Sequence, residues 1–225
     1  MYQYLLFDFD GTVFDTLEGI TKSVRYALNK RGIDAELESL RCFAGPPLAD
    51  KFMEVYGFTP AEAEQAVRDY RERYRPVGLT ECRVFPGIKE LLRDLREAGY
   101  TLGIATSKPQ SMAELLLERE GMLELFDAIV GTGENGDHMT KADVLRSVMG
   151  LLGAVPENTV LIGDTKYDVL GARSCGVDCI GVGWGYAAEG ELEAAGAAQI
   201  VPDQAAMRAL FLGRGESYAP ACSLT

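Results

Sequence analysis

The sequence predicts a parallel α/β sheet with helices on both faces, interrupted by a helical insertion, and three observations support this. Short apolar runs of strand length recur at 4–9, 102–105, 128–130, 160–162, 179–182 and 200–201. Segments of helical period separate the later runs. One long stretch, 16–82, carries helical patterns and no convincing strand. Strand, helix, strand at this spacing gives a doubly wound sheet, and ligands of such sheets bind beyond the carboxyl ends of the strands.

Taken in order, run 4–9 is a buried strand that delivers Asp8 and Asp10 at its carboxyl end. In the insertion, Leu17, Ile20, Val24 and Leu28 share one helical face, and Ala63, Val67, Tyr70 and Tyr74 share another. Pro46, Pro47 and Pro60 divide it into several helices. Residues 16–82 hold 10 basic and 11 acidic side chains, net −1, which leaves −11 for the remainder. The organisation expected is therefore a core domain of 1–15 and 83–225 with a helical domain of 16–82 inserted in it. Ile88, Leu91, Leu92 and Leu95 form a helical stripe that closes at Gly99. Val144, Leu145, Val148, Leu151 and Leu152 form a second, closed at Gly153. Beyond Gly213 a polar tail punctuated by Gly215 and Pro220 is expected to fray.

The chain has 225 residues, 47% hydrophobic and 25% charged, which excludes a disordered or fibrous protein. Its net charge of −12 repels nucleic acid and anionic membrane surfaces, so neither is the expected partner. A small anionic substrate stays possible, because a bound metal ion reverses the local field. The five cysteines (Cys42, Cys82, Cys175, Cys179, Cys222) are odd in number and include no Cys-x-x-Cys pair, which suits inert thiols in a reducing cytoplasm. No segment reaches the roughly 20 apolar residues of a membrane span. Asp8 and Asp10 break the N-terminal apolar run and no basic region precedes it, so no signal peptide is expected.

Chemistry concentrates in four places. In Asp8-Phe9-Asp10-Gly11-Thr12, strand alternation puts both carboxylates on one side and Gly11 lets the chain turn away. Carboxylates that close repel unless a cation or a shared proton joins them, and Mg²⁺, which prefers oxygen ligands and phosphate, suits the place. The alternative is a solvated strand end. Gly163-Asp164-Thr165-Lys166-Tyr167-Asp168 follows another buried strand, bringing Asp164 to the same edge and Asp168 one turn later; here the alternative is a helix N-cap. Thr106-Ser107-Lys108-Pro109 follows run 102–105, where a hydroxyl and free N–H groups at a helix start suit an anion or form a simple cap. Lys141 opens a helix after a loop containing Gly131, Gly133 and Gly136. There it opposes the helix dipole, a local conflict typical of functional sites, although a lysine alone can also be a solvated surface residue.

In this order the four motifs resemble those of the haloacid dehalogenase superfamily: DxDGT, a Thr or Ser, a Lys, and GDxxxD. The likeness spans the chain to about Asp203. The insertion resembles the cap domain of the subgroup containing phosphoglycolate phosphatases, pyrophosphatases and β-phosphoglucomutases. The strings Ala44-Gly45-Pro46-Pro47-Leu48 and Ala105-Thr106-Ser107-Lys108-Pro109 look closest to 5′-nucleotidase or phosphoglycolate-phosphatase-like members. The resemblance implies a Rossmann-like core and an Mg²⁺-dependent phosphatase of small phosphorylated metabolites. Asp8 would be the nucleophile, forming an aspartyl-phosphate, and Asp10 the general acid and base. Thr106 and Lys141 would complete the catalytic set. Gly11, Thr12, Thr106, Ser107 and Lys141 would bind the phosphate. Asp8, Asp164 and the Asp10 carbonyl would hold Mg²⁺, with Asp168 acting through water or by orienting Lys141. Phe43, Gly45 and Pro46, within the stretch 41–48, would contact substrate from the cap.

The second Asp of DxD argues against a dehalogenase or a transport ATPase of this family. A phosphomutase of the β-phosphoglucomutase type and a non-catalytic phospho-ligand-binding protein are the alternatives. Gly181, Gly183 and Gly185 are expected to form an ordinary loop, His138 to sit on the surface without a triad partner, and Arg68, Arg71 and Arg75 to line a solvated helix face.

Overall fold

The computed structural model describes residues 1–133 and 139–213. Gly136, His138, Cys222 and the tail beyond Gly213 lie outside the described residues. In chain order the elements are β1 (Tyr4–Phe7), β2 (Phe14–Asp15), α1 (Leu17–Asn29), α2 (Leu48–Tyr56), α3 (Pro60–Tyr74), β3 (Arg83–Val84), α4 (Ile88–Glu97) and β4 (Thr101–Pro109). They continue with α5 (Gln110–Arg119), β5 (Ala128–Thr132), α6 (Lys141–Leu152), β6 (Thr159–Gly163), α7 (Lys166–Ser174), β7 (Asp178–Val182), α8 (Glu191–Ala195), β8 (Gln199–Val201) and α9 (Gln204–Leu212).

The described residues form a six-stranded parallel sheet in the order β5-β4-β1-β6-β7-β8. Strand pleating sorts its side chains into two cores. Leu5, Phe7, Leu102, Ile104, Val160, Ile162, Ile180 and Val182 face one layer, with Ile88 and Leu92 of α4 and Met112 and Leu116 of α5. Leu6, Ala105, Leu161 and Cys179 face the other, with Val144 and Val148 of α6 and Val169 of α7. Each strand is apolar on both faces because helices cover both, as a parallel sheet requires.

Strand β1 lies between β4 and β6, and the chain reverses direction across the sheet there. The crevice at the carboxyl ends of these three strands is thus the topological switch point. At its lip the chain leaves β1 in a tight turn in which Thr12, Val13 and Phe14 N–H groups converge on the Phe9 carbonyl. It then forms β2, which pairs antiparallel with β3 (Phe14 with Val84, Asp15 with Arg83). Among the described residues, 16–82 between these two strands holds helices and no strand. Pro60 occupies the first turn of α3 behind a Thr59/Glu62 capping box. Ile20, Val24, Leu28, Ala63, Tyr70 and Tyr74 are buried and continuous with the first sheet core, while Val67 is partly buried.

Two expectations are corrected. Strand β4 runs on through Thr106, Ser107, Lys108 and Pro109, so these residues form a bulged strand end, with the register shifting between Ala105 and Pro109. The Thr132 hydroxyl closes the bulge on the Ser107 carbonyl at 3.1 Å, and a Cβ at Gly131 would stand 2.4 Å from the Lys108 carbonyl oxygen, so only glycine admits this approach. Leu151 is 69% exposed, because the buried face of α6 passes through Val144, Leu145, Val148 and Met149 instead.

Asp69 of α3, buried in the helical segment, ties α3 to α1: it accepts hydrogen bonds from Lys30 at 2.7 Å, Arg31 at 2.7 Å and Gln65 at 3.3 Å. Burial alone would raise its pKa, but Lys30 and Arg31 more than reverse this and hold the carboxyl below the usual range. A depressed folded-state pKa confers stability that is complete above the unfolded value of about 3.9 and lost as pH falls through the folded value. Asp69→Asn is expected to cost about 2 kcal/mol at pH 7 in urea melts, less than for a fully buried pair since Lys30 is partly solvated. The gap between wild type and variant should begin to narrow near pH 4 and close only as the pH falls through the depressed folded-state value.

Candidate active site

The carboxyl ends of β1 and β6 and the first turns of α6 and α7 deliver the charged groups. Asp8 follows β1, its N–H bonded to the Ile162 carbonyl at 2.8 Å; Asp164 follows β6; Asp168 sits in the first turn of α7; Lys141 starts α6. Carboxylate oxygens of Asp8, Asp164 and Asp168 lie within 4.8 Å of one another, and all three residues are buried. The Lys141 ammonium reaches into this cluster, donating to Asp8 Oδ1 at 2.5 Å, Asp168 Oδ1 at 2.7 Å and the Ala105 carbonyl at 2.8 Å. An ammonium has three donors, and each has an acceptor here. The local conflict at the start of α6 is offset by a Thr140/Asp143 capping box.

Electrostatics follow from burial. Desolvation, then the neighbouring charges of Asp168 and Asp10, raise the Asp8 pKa, with Lys141 opposing. Asp164 is raised well above the carboxylate range, by burial first and by Asp168 and Asp8 next. Burial lowers the proton affinity of Lys141, but Asp168 and Asp8 more than restore it, so its pKa is raised and it stays charged. Ionised together, the three carboxylates would exceed the one ammonium by two buried negative charges, which is why Asp8 and Asp164 are pushed toward the protonated form. A divalent cation that prefers oxygen ligands fits both the charge and the donor set.

Each oxygen of Asp168 is engaged, Oδ1 by Lys141 and Oδ2 by the N–H (3.0 Å) and hydroxyl (2.9 Å) of Thr165. It therefore caps α7 and holds Lys141 at once, which combines the two sequence readings. Asp164 accepts from the Tyr186 N–H at 2.8 Å and from the Thr12 hydroxyl at 3.3 Å. Asp10 does not share the orientation expected from strand alternation. The ladder ends at Phe7, Gly11 adopts φ +83°, and the Asp10 carboxylate turns to Lys108 (3.0 and 3.3 Å), away from the three-carboxylate cluster. Thr106 is buried, its hydroxyl accepting from the Lys108 N–H at 3.1 Å, whereas Ser107 is exposed.

Among the residues expected to meet substrate from the insertion, Phe43 is instead 1% exposed, packed on Phe52 and Tyr56. The 3₁₀ turn Leu37–Phe43 points its ring into the helical core. Gly45, at φ +106°, abuts the Thr165 methyl, 3.0 Å from where a Cβ would stand, so this loop does reach the rim; Pro46 beside it is partly buried. Arg68 lies exposed beside Gln65 and Glu64, as expected of a solvated face.

Three contributors are not singled out by the sequence: Lys108 lies within a motif string, Tyr74 within a core stripe, and Tyr186 just after the glycine run expected to form an ordinary loop. The Tyr186 hydroxyl accepts the N–H groups of Thr16 (2.7 Å) and Leu17 (3.1 Å) and donates to Asp15 Oδ1 (3.1 Å). A Cβ on Gly185 would stand 2.1 Å from Asp164 Cβ, and one on Gly11 2.0 Å from Asp164 Oδ2, so Asp164 is enclosed by two residues that must lack side chains. The G-x-G spacing held that signal.

A family model described as haloacid dehalogenase-like hydrolase matches residues 5–182. A 5′-nucleotidase of Pseudomonas aeruginosa is 45% identical over 208 residues, 92% of this chain and 94% of that protein. Tyrosine-protein kinase PtkA of Mycobacterium tuberculosis is 38% identical over 185 residues, 82% of this chain and 63% of that longer protein. A crystal structure described as a predicted phosphatase from Clostridium acetobutylicum superposes with a TM-score of 0.89 at 42% identity, covering 94% of this chain and 100% of that one.

Gly185→Ala is expected to cost about 1–3 kcal/mol in thermal or urea melts, the usual range for overpacking, and to displace Asp164. Calorimetric titration with Mg²⁺ should then show weaker binding than in the unaltered protein.

Proposed function

The chain belongs to the haloacid dehalogenase-like hydrolase family and is a phosphatase of that kind, and we propose that it hydrolyses small soluble phosphomonoesters, 5′-nucleotides or phosphoglycolate-type esters, in the cytoplasm. The observation that carries this reading is the gathering of Asp8, Asp164, Asp168 and Lys141, from the ends of β1 and β6 and the first turns of α7 and α6, at one switch point. The 45% identity to a protein named 5′-nucleotidase favours the nucleotide branch. Among the described residues no helix is long and apolar enough to cross a membrane.

In this reading Asp8, Asp164 and the Asp10 carbonyl would hold Mg²⁺, with Asp168 acting mainly on Lys141. Bound there, the ion would supply charge neutralisation for phosphate in a −12 protein. Asp8 attacks phosphorus with a carboxylate oxygen while the ester P–O bond breaks, and Asp10 gives a proton to the departing oxygen. Water then attacks the aspartyl-phosphate, Asp10 takes its proton, and Asp8 and inorganic phosphate are regenerated. Lys141 opposes the rise that burial imposes on the Asp8 pKa and so favours the ionised nucleophile. Thr106, Ser107, Gly11 and Thr12 contribute donors to the phosphoryl oxygens. Phosphoryl transfer asks mainly for such positioning and charge stabilisation. Residues 16–82 act as the cap domain over the core of 1–15 and 83–225. The Gly45-Pro46 loop against Thr165 supports its contact with the rim, and Phe43 sustains that loop from within.

Asp8→Asn is expected to abolish phosphate release, by a factor of about 10³ or more, across nucleoside monophosphates, phosphoglycolate, sugar phosphates and pyrophosphate. Chelation of divalent ions should do the same and added Mg²⁺ restore it. Incubation with a hexose 1-phosphate should yield free phosphate; an isomeric sugar phosphate would assign the protein to the mutases instead.

A further inference from the structure

Lys108 is a buried cation outside the three-carboxylate cluster, its side chain 3% exposed. Its ammonium donates to Asp10 Oδ1 at 3.0 Å and Oδ2 at 3.3 Å, and at 2.6 Å to the hydroxyl of Tyr74. It also lies over two rings, 4.9 Å from the centroid of Tyr74 and 5.6 Å from that of Phe9. Asp10 and Lys108 come from the ends of β1 and β4, but Tyr74 is the last residue of α3, in the helical insertion. Tyr74 is itself held, 4% exposed and stacked on Tyr70 at 5.0 Å.

An ammonium on a four-carbon stem is a flexible point charge that sets no direction by itself. Here the Tyr74 contact, shorter than either bond to Asp10, and the two ring faces define where it sits. The position of the Asp10 carboxylate depends in turn on that ammonium. We propose that Tyr74 is a positioning residue for Asp10: its hydroxyl fixes Lys108, and Lys108 fixes the carboxylate that exchanges protons with leaving group and water. This rests on the acid-base role given to Asp10 above. It adds that the insertion carries a group through which its placement reaches the acid.

The test uses leaving groups of different basicity. An ester whose oxygen leaves as a stable anion, 4-nitrophenyl phosphate, needs little protonation, whereas an alkyl phosphate such as a nucleoside 5′-monophosphate needs it fully. Because kcat/KM reports the first phosphoryl transfer, it isolates the acid function from the later attack of water. Tyr74→Phe keeps the ring and loses only the hydroxyl. It should lower kcat/KM about tenfold for the alkyl ester, a part of the 10²- to 10⁴-fold typical of general acids, and less than twofold for the nitrophenyl ester. Lys108→Met should show the same selectivity, and adding Tyr74→Phe to it should change nothing further, since both act through one link. Equal losses on the two esters, no loss on the alkyl ester, or additive losses in the double variant would overturn the role of Tyr74. Asp10→Asn separates the two readings. If it discriminates strongly between the esters while Tyr74→Phe does not, only the Tyr74 role fails; if it does not discriminate either, the acid assignment of Asp10 fails and the Tyr74 role with it.

Discussion

The rim depends on one ammonium whose side chain is largely buried. Lys141 satisfies all three of its donors on Asp8, Asp168 and the end of β4. Neither carboxylate would be tolerable at such burial without it, and the lysine would be equally costly without them. Because its partners come from β1, α7 and β4 and the lysine itself from α6, the contact also fixes how four elements meet. Asp164 remains the acid with no cation beside it, held by a backbone N–H and a hydroxyl alone. That imbalance is what fits the place to the divalent ion proposed for it.

Room for these charges comes from residues that contribute no side chain. Asp164 is confined between Gly11 on the β1 turn and Gly185 on the loop after β7, and the next residue, Tyr186, continues outward to the start of α1. One tyrosine therefore binds the acidic cluster with its backbone and the first helix of the insertion with its hydroxyl. With the Tyr74-Lys108-Asp10 chain on the other side, the helical segment touches the rim through two separate hydrogen-bonded routes.

Much of this was legible in the chain, because the relevant signals are local and periodic. The doubly apolar runs could be placed as parallel strands, and the spacing of Asp8, Asp164 and Lys141 relative to those runs set them on one edge. What was not legible depended on register or long-range approach. The bulge that carries Thr106 and Lys108 past the expected end of β4 is specified by Gly131 on a neighbouring strand, which no local pattern reveals. The rotation of Asp10 away from Asp8 follows from where the ladder stops, one pleat earlier than apolarity suggested. Phe43 looked like a loop residue because its partners, Phe52 and Tyr56, lie on the next helix. Tyr74 was correctly placed in a core stripe, but its hydroxyl has a second use that periodicity cannot express.

The two-residue pairing of β2 with β3 has an evolutionary corollary. The chain departs for the insertion and comes back through adjacent, hydrogen-bonded positions, so the gap that the excursion must span is constant whatever its length. Loop closure grows only logarithmically with length, at roughly 0.6 kcal/mol per doubling. Polypeptide of very different size can therefore be spliced in at this doorway with little thermodynamic consequence for the sheet, leaving the reactive edge to be inherited while its covering diversifies.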